Sequence, residues 1–523
     1  MKKKVFALLL TFTIVFSLTA CGDDTGNNEG PGAFNNIADN DMTDMSKPDK
    51  ITIMVDGTVP TQENGRDAFE AKLEELIGID IEIIQPDHSN YYNEVGQTIA
   101  DGNWPDVIIL SSDYMTSYGA EGMLWDMSDA WENSDLRKRQ EAAGSDTSVL
   151  GMYVGDALYG MPAASGNGCI TYVKQTWLDA AGITTLPTNF DEYYDMLLKM
   201  KEAMGVDYVL AASGFLGKET PFVNYLQEFY QDAWPAFYQK EDGTWVDGFE
   251  EQAMKDAMAR IAQGVADGII DPGTKDYGTG DIRNMFYEDS LGVFTYWAGT
   301  WNTTLKNYLE NNGLDGELVA LAPLIEERPP MSTNPALINR LAPAWCITTT
   351  CEDPEGVFKY FIETMQDGGD IQFLWTYGVE GVHWSTAAET LYAGTDNEVT
   401  YAEGEFHMCD NLGSPGSQYT KAHIDPLLAL VDLANDPIVK VVKPEAFSSQ
   451  MIFKANNVGA FIVPPTDAMT LHNGELQSEK QSLVERVALG QMTVDEAYAE
   501  YVNEGYADMS KEIVDALNAL NAQ

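Results

Sequence analysis

Hydrophobic positions along the chain follow two periods. Ile51-Thr52-Ile53-Met54-Val55 is a short apolar, β-branched run that predicts a strand. Phe69, Leu73, Leu76 and Ile77 then recur at i, i+4, i+7 and i+8 in a pattern starting at Asn64, which is one face of a helix. Gly78 follows as a C-cap glycine would. Ile79 to Ile84 alternates with Asp80 and Glu82 as a second strand, Tyr91 to Ala100 is helical, and Val107 to Leu110 is a fully apolar strand. The order β-α-β-α-β predicts a parallel sheet with helices on its faces. Such sheets bind ligands beyond the carboxyl ends of their strands. Those ends here are Asp56-Gly57-Thr58 and Ser111-Ser112-Asp113.

A second set of elements begins at Cys169. Cys169 to Val173 predicts a strand, Gln175–Ala181 and Phe190–Met204 helices, and Tyr208 to Ala212 another strand. Thr188 with Asp191 three residues on suggests a capping box for the second helix. Trp234 to Val246 reads as a hairpin turning at Asp242-Gly243, followed by a helix over Glu250–Ala266. Strands are expected over Leu291 to Trp297, Leu318 to Leu321 and Ala344 to Thr349, and Asp353-Pro354 opens a helix. From about Leu476 the pattern is almost wholly helical, with Thr493 and Glu496 as a capping box. The chain reads as α/β with a helical C-terminal portion.

The N-terminus is of a different kind. Lys2, Lys3 and Lys4 precede an apolar run from Val5 to Leu18, too short to span a bilayer as a mature helix. The run ends in Leu18-Thr19-Ala20-Cys21-Gly22, which resembles the lipobox of bacterial lipoproteins. Residues 1–20 are then a signal peptide and Cys21 the lipidated residue. Residues 21–48, rich in Gly, Asn and Asp, read as a flexible acidic tether. No later apolar run is long enough for a membrane span, so the lipid is the expected membrane contact.

Charge narrows the partners. The sequence carries 82 acidic and 30 basic side chains, a formal net charge of −52, which repels nucleic acid and anionic headgroups. A neutral solute is expected on the same ground. Of five cysteines, four remain after lipidation, too few for a disulfide scaffold of this size. Cys346 and Cys351 fit either a bridge or two buried thiols, with thiols the expectation. His407 and Cys409 alone do not make a zinc site. No metal or cofactor is expected; a Ca²⁺ on an acidic loop stays open.

No phosphate-binding loop, GxSxG or HExxH is present, and with so many carboxylates a suggestive pair is expected by chance. The aromatic clusters are the informative chemistry. Tyr296-Trp297-Ala298-Gly299-Thr300-Trp301 sits at a predicted strand end, Trp345 just before a strand, and Trp375 to Trp384 in a glycine-punctuated loop. Indole faces stack on the C–H faces of sugar rings, and neighbouring carboxylates, His and Asn take the hydroxyls.

Several strings together resemble the extracellular solute-binding protein family 1 of carbohydrate ABC importers, in its LipO-like lipoprotein branch. They are Trp104-Pro105-Asp106-Val107-Ile108, Gly122 to Ser128, Leu158-Tyr159-Gly160-Met161-Pro162, Trp177 to Glu192, and Tyr377-Gly378-Val379-Glu380-Gly381. The resemblance implies a two-lobed fold of the periplasmic-binding-protein type (type II), with hinge-crossing strands and ligand in the cleft. It implies a first lobe of 49–163 plus 335–388 and a second of 168–325 plus 390–523. Asp56, Asp113, Trp345, Glu380, His383 and Trp384 would line the cleft from the first lobe, and Trp297 and Trp301 from the second. The implied protein is a non-enzymatic monomer at the extracellular face of the cell membrane. It hands a carbohydrate to ABC permease subunits. A cell-surface glycoside hydrolase or lyase, a receptor for peptide or another solute, and a sensor or adhesion protein stay open as alternatives.

Overall fold

The computed structural model describes residues 47–520, apart from 57–58, 61, 63–64, 87–89, 139–148, 150, 156, 164–166, 218–225, 340, 367–369, 392, 395–397, 410–443 and 460–462. The expected signal peptide, Cys21 and nearly all of the tether lie outside the described residues.

The first sheet has the expected parallel start. Strand Lys50–Met54 lies between Asp80–Ile84 and Val107–Leu110, parallel to both. Helix Arg66–Ile77 connects the first two strands and buries Phe69, Leu73 and Ile77, the predicted stripe. Gly78 ends it at φ +66°, and its N–H donates to the Glu74 carbonyl. Two later segments complete the sheet. Ala344–Ile347 runs antiparallel to Val107–Leu110, and Met161–Pro162 pairs on its far side.

The second sheet is antiparallel. Cys169–Lys174 lies between Val293–Trp297 and Leu318–Ala320. Helices Phe190–Met204, Gln252–Ala266 and Thr279–Tyr287 share its hydrophobic core, and Asp467–Ala488, Val494–Asn503 and Tyr506–Leu520 form the helical C-terminal portion. Two hydrophobic clusters result. One joins residues 51–163 to 344–375; the other joins 169–324 to Leu337, Phe453 and 476–517.

Several local expectations change. Asn189, not Thr188, caps the helix Phe190–Met204, its side chain accepting from the Glu192 N–H; the Thr188 hydroxyl instead donates to the Glu192 carboxylate. Residues 208–212 form no strand, and Leu210 makes only isolated bridges to Ile270 and Val293. Cys346 and Cys351, by contrast, are the free, buried thiols that were expected. Leu337 packs in the second cluster, two residues inside the expected start of the first lobe's return. His407–Met408 pairs with Trp384–Ser385, so the hairpin segment 389–408 stays with the first lobe's loop. His407 is buried, contacts Glu389 at 3.1 Å and stacks on Tyr401, a structural role.

The capping box at Thr493 forms as expected. Its hydroxyl accepts from the Glu496 N–H at 3.2 Å, and the Glu496 carboxylate accepts from the Thr493 N–H at 2.8 Å. Thr493→Ala is expected to cost about 1 kcal/mol, read from the urea midpoint. An unmoved midpoint would contradict this account of the helix start.

The second core holds two acids. Glu228 and Glu327 are each 3 % exposed, and burial pushes both carboxyls above the ordinary glutamate range. The charge of Glu228 pushes Glu327 further in the same direction. Both groups therefore favour the folded state when protonated. Their stabilisation is full below the ordinary glutamate pKa of about 4.3 and is lost as pH rises toward the elevated folded values. Glu327→Gln should lose less stability than the parent as pH rises from about 4.5 into the neutral range. Urea denaturation across that range checks this, with parallel curves as the contrary result. The comparison cancels the general repulsion of so acidic a chain.

Candidate ligand-binding site

The two sheets meet the crossing segments at defined ends. Leu110, the last residue of its strand, pairs with Ala344, which also pairs with Pro162. The Ala163 N–H donates to the Pro343 carbonyl at 2.8 Å. At the second sheet, Trp297 pairs with Cys169, the Ala298 N–H donates to the Gly168 carbonyl, and the Asn167 amide donates to the Ala298 carbonyl. A Cβ on Gly168 would lie 2.2 Å from the Ile338 carbonyl oxygen, so only glycine allows the two crossing segments to approach this closely. The carboxyl end of strand Val107–Leu110 and that of strand Val293–Trp297 thus flank one crossing.

Tyrosines crowd the first of these ends. The Tyr91 hydroxyl reaches the Met54 and Ile109 carbonyls at 3.1 and 2.8 Å. The Tyr92 hydroxyl accepts from the Ser111 N–H at 2.9 Å. Tyr114, 36 % exposed, stacks on Tyr92 with ring centroids 4.0 Å apart and planes 10° apart. Tyr118 stands edge-on to Tyr114 at 5.8 Å. Burial raises the Tyr91 and Tyr92 hydroxyls above the ordinary tyrosine range, and the Asp56 charge adds to the rise. Asp56 therefore lies within electrostatic reach of this cluster. Asp113 belongs to helix Ser112–Ala120, and its side chain lies outside the described part of the structure. The tyrosine platform was not among the residues read from sequence. Tyr114 and Tyr118, spaced i,i+4 straight after an apolar strand, were the available signal.

The second end carries the expected indoles. Trp297 is half-buried, and its carbonyl accepts from the Tyr172 hydroxyl at 2.8 Å. Gly299 follows at φ +81°, ψ −127°, a turn that aims the chain into helix Thr300–Asn311 and suits glycine alone. Trp301, also half-buried, stands edge-on to Tyr296 at 4.7 Å. The Arg283 guanidinium lies over both rings, 5.2 Å from Trp301 and 5.7 Å from Tyr296.

Other expected site residues go elsewhere. Trp345 is 0 % exposed and packs edge-on to Phe361 and Trp375 at 5.8 and 5.4 Å. It is a core residue, because strand Ala344–Ile347 is buried on both faces and leaves its indole no surface for a ligand. His383 is also 0 % exposed, and its Nδ1 accepts from the Val379 N–H at 2.7 Å. Trp384 donates to the Gly378 carbonyl and stacks on Phe406. These two side chains close their own loop. Glu380 is exposed in that loop. A Cβ on Gly65 would meet Val382 and His383 at 2.8 and 2.9 Å, so the loop sits against the start of helix Arg66–Ile77. A helix that follows a parallel strand starts at that strand's carboxyl end, which puts Glu380 at the same end of the sheet as Asp56.

Two separately packed α/β lobes, joined by paired crossing segments and bearing partly exposed aromatics at the sheet ends beside them, define a two-lobed solute receptor. The chain belongs to the bacterial extracellular solute-binding protein family, whose model matches residues 60–359. A binding protein of Brucella abortus (strain 2308) is 25% identical over 238 residues, 45% of this chain and 54% of its own length. The chain thus matches about half the length of its curated relatives. Among solved structures, the alginate-binding protein AlgQ2, solved without calcium ion, superposes with a TM-score of 0.61 at 17% identity, covering 92% of this chain and 99% of that one. An N-glycan transport solute-binding protein from Streptococcus pneumoniae gives 0.61 at 15% identity over 91% and 99% of the two chains. A cyclo/maltodextrin-binding protein complexed with maltotetraose gives 0.56 at 13% over 90% and 98%. These likenesses establish the two-lobed fold. No helix among the described residues is long and apolar enough to cross a membrane.

Proposed function

We propose that this chain captures an oligosaccharide between its lobes and delivers it to the permease subunits of an ABC importer, tethered by lipid on Cys21 at the outer face of the cell membrane. The observation that carries the reading is the pair of aromatic surfaces beside one crossing: Tyr114 on Tyr92 from the first lobe, Trp301 and Trp297 from the second. Stacking supplies affinity for sugar rings, and Asp56 and Glu380 accept from their hydroxyls. Closure of the lobes about the crossing would bring both surfaces onto one ligand.

The reading of a hydrolase or lyase is less well supported. It needs two carboxyl groups about 5–10 Å apart across an open sugar subsite. Glu228 and Glu327, the described acid pair pushed upward together, are both buried in the second core and closed to a glycan. A thermal-shift screen of the chain against mono- and oligosaccharides and peptides tests the proposal. An upward shift with oligosaccharides and no glycan cleavage is the expected result. A response to peptides alone overturns it.

A further inference from the structure

Arg283 stands out among the described arginines. Arg66, Arg137 and Arg486 each contact a carboxylate. Arg260 and Arg328 donate to backbone carbonyls. Arg283 makes neither an ion pair nor a hydrogen bond to any described residue, in a chain with 82 acidic and 30 basic side chains. Its contacts are with rings, over Trp301 and Tyr296. It is held at the mouth of the proposed site by helix Thr279–Tyr287.

The chemistry of that placement is directional. A guanidinium lying over an aromatic spends its flat face on the ring and keeps its N–H edge available. That edge is a planar fork of donors whose geometry matches a carboxylate through two parallel hydrogen bonds. A sugar ring stacked on the exposed part of Trp301 would bring its ring substituents toward this edge. A single neutral hydroxyl takes one bond from the fork, where a carboxylate takes two and supplies the opposite charge. The net charge of −52 repels an anion at long range, so an anionic solute needs a local cation at the site.

We infer that the captured oligosaccharide carries a carboxylate, as a uronic acid does, and that Arg283 pairs with it beside the Trp301 face. The inference rests on the carbohydrate reading and reverses the expectation of a neutral glycan drawn from net charge alone. It makes Arg283 a specificity-determining residue that no single sequence motif marks.

Calorimetric titration of the full chain with matched oligosaccharides tests this. One set contains uronic acids, a second is the same set with carboxyls reduced to primary alcohols, and a third carries sulfate in place of carboxylate. The uronide should bind about 10–100-fold more tightly than its reduced counterpart, the usual worth of a hydrogen-bonded charge. Arg283→Met should collapse that ratio toward one, and Arg283→Lys should keep part of it, because lysine retains charge without the fork. Equal affinity for uronide and reduced glycan, or a preference that survives Arg283→Met, overturns the inference and leaves the carbohydrate reading standing. A preference for the sulfated set overturns the carboxylate assignment. Absence of binding to every glycan overturns the carbohydrate reading itself. If Arg283→Met does not fold, the wild-type ratio still decides.

Discussion

Replacing Asp247 by alanine is expected to destabilise the second lobe by about 3–5 kcal/mol. Lys480 is 0 % exposed, and its ammonium lies 2.7 Å from the Asp247 carboxylate. Ser510 and Tyr501 also donate to that carboxylate, at 2.8 and 3.3 Å, and the Phe249 N–H donates to it at 3.0 Å. One side chain therefore joins the hairpin end at Trp245–Asp247 to all three C-terminal helices. Burial lowers the Lys480 pKa, and Asp247 opposes that shift. Truncating the aspartate leaves an uncompensated buried ammonium and strands three further donors. Phe237 and Phe249, 4.9 and 5.2 Å from the ammonium, recover only part of the loss. Urea denaturation measures the change. A cost below about 1 kcal/mol would mean that the pair is solvated in solution. A double variant, Asp247→Leu with Lys480→Met, should regain part of the stability, since it removes the unpaired charge while the Ser510, Tyr501 and Phe249 donors stay stranded.

The second large effect concerns binding. Trp301→Ala should weaken glycan affinity about 10–100-fold, the loss of one stacked ring at about 1.5–3 kcal/mol. Tyr114→Ala should cost about tenfold or more, because it removes the exposed ring of the Tyr92 stack while leaving the buried hydroxyl of Tyr92 on the Ser111 N–H. Trp345→Phe, by contrast, should act through stability and leave affinity intact, since its indole is sealed in the first core. Calorimetry on the three variants separates these outcomes. A binding loss in Trp345→Phe equal to that in Trp301→Ala would contradict the division of roles.

The backbone of the first lobe was legible because its cues are local. The Phe69, Leu73 and Ile77 stripe and the Gly78 cap lie within a dozen residues, and both appear in the structure. Tyr208 to Ala212 failed as a strand because its pairing is limited to one residue: Leu210 bridges Ile270 and Val293 through the backbone and no neighbour extends either ladder. The candidate site was half legible. Trp297 and Trp301 follow from a strand end and a glycine turn, both readable in one dimension. Trp345, His383 and Trp384 carry no such local mark. Each is a residue type suited to a sugar, and each is used for packing, for want of exposed surface or by closing its own loop. Tyr114 was missed for the opposite reason: a tyrosine on a short helix carries no mark of exposure until Tyr92 is seen beneath it.

The central claim is that one glycan touches both lobes. The most direct test is titration of a single high-affinity oligosaccharide into wild-type protein, Tyr114→Ala and Trp301→Ala, with tryptophan emission as the readout. Saturable binding by the wild type is expected, with affinity weakened about tenfold or more in each variant. Loss in only one variant would confine the ligand to a single lobe and contradict the claim.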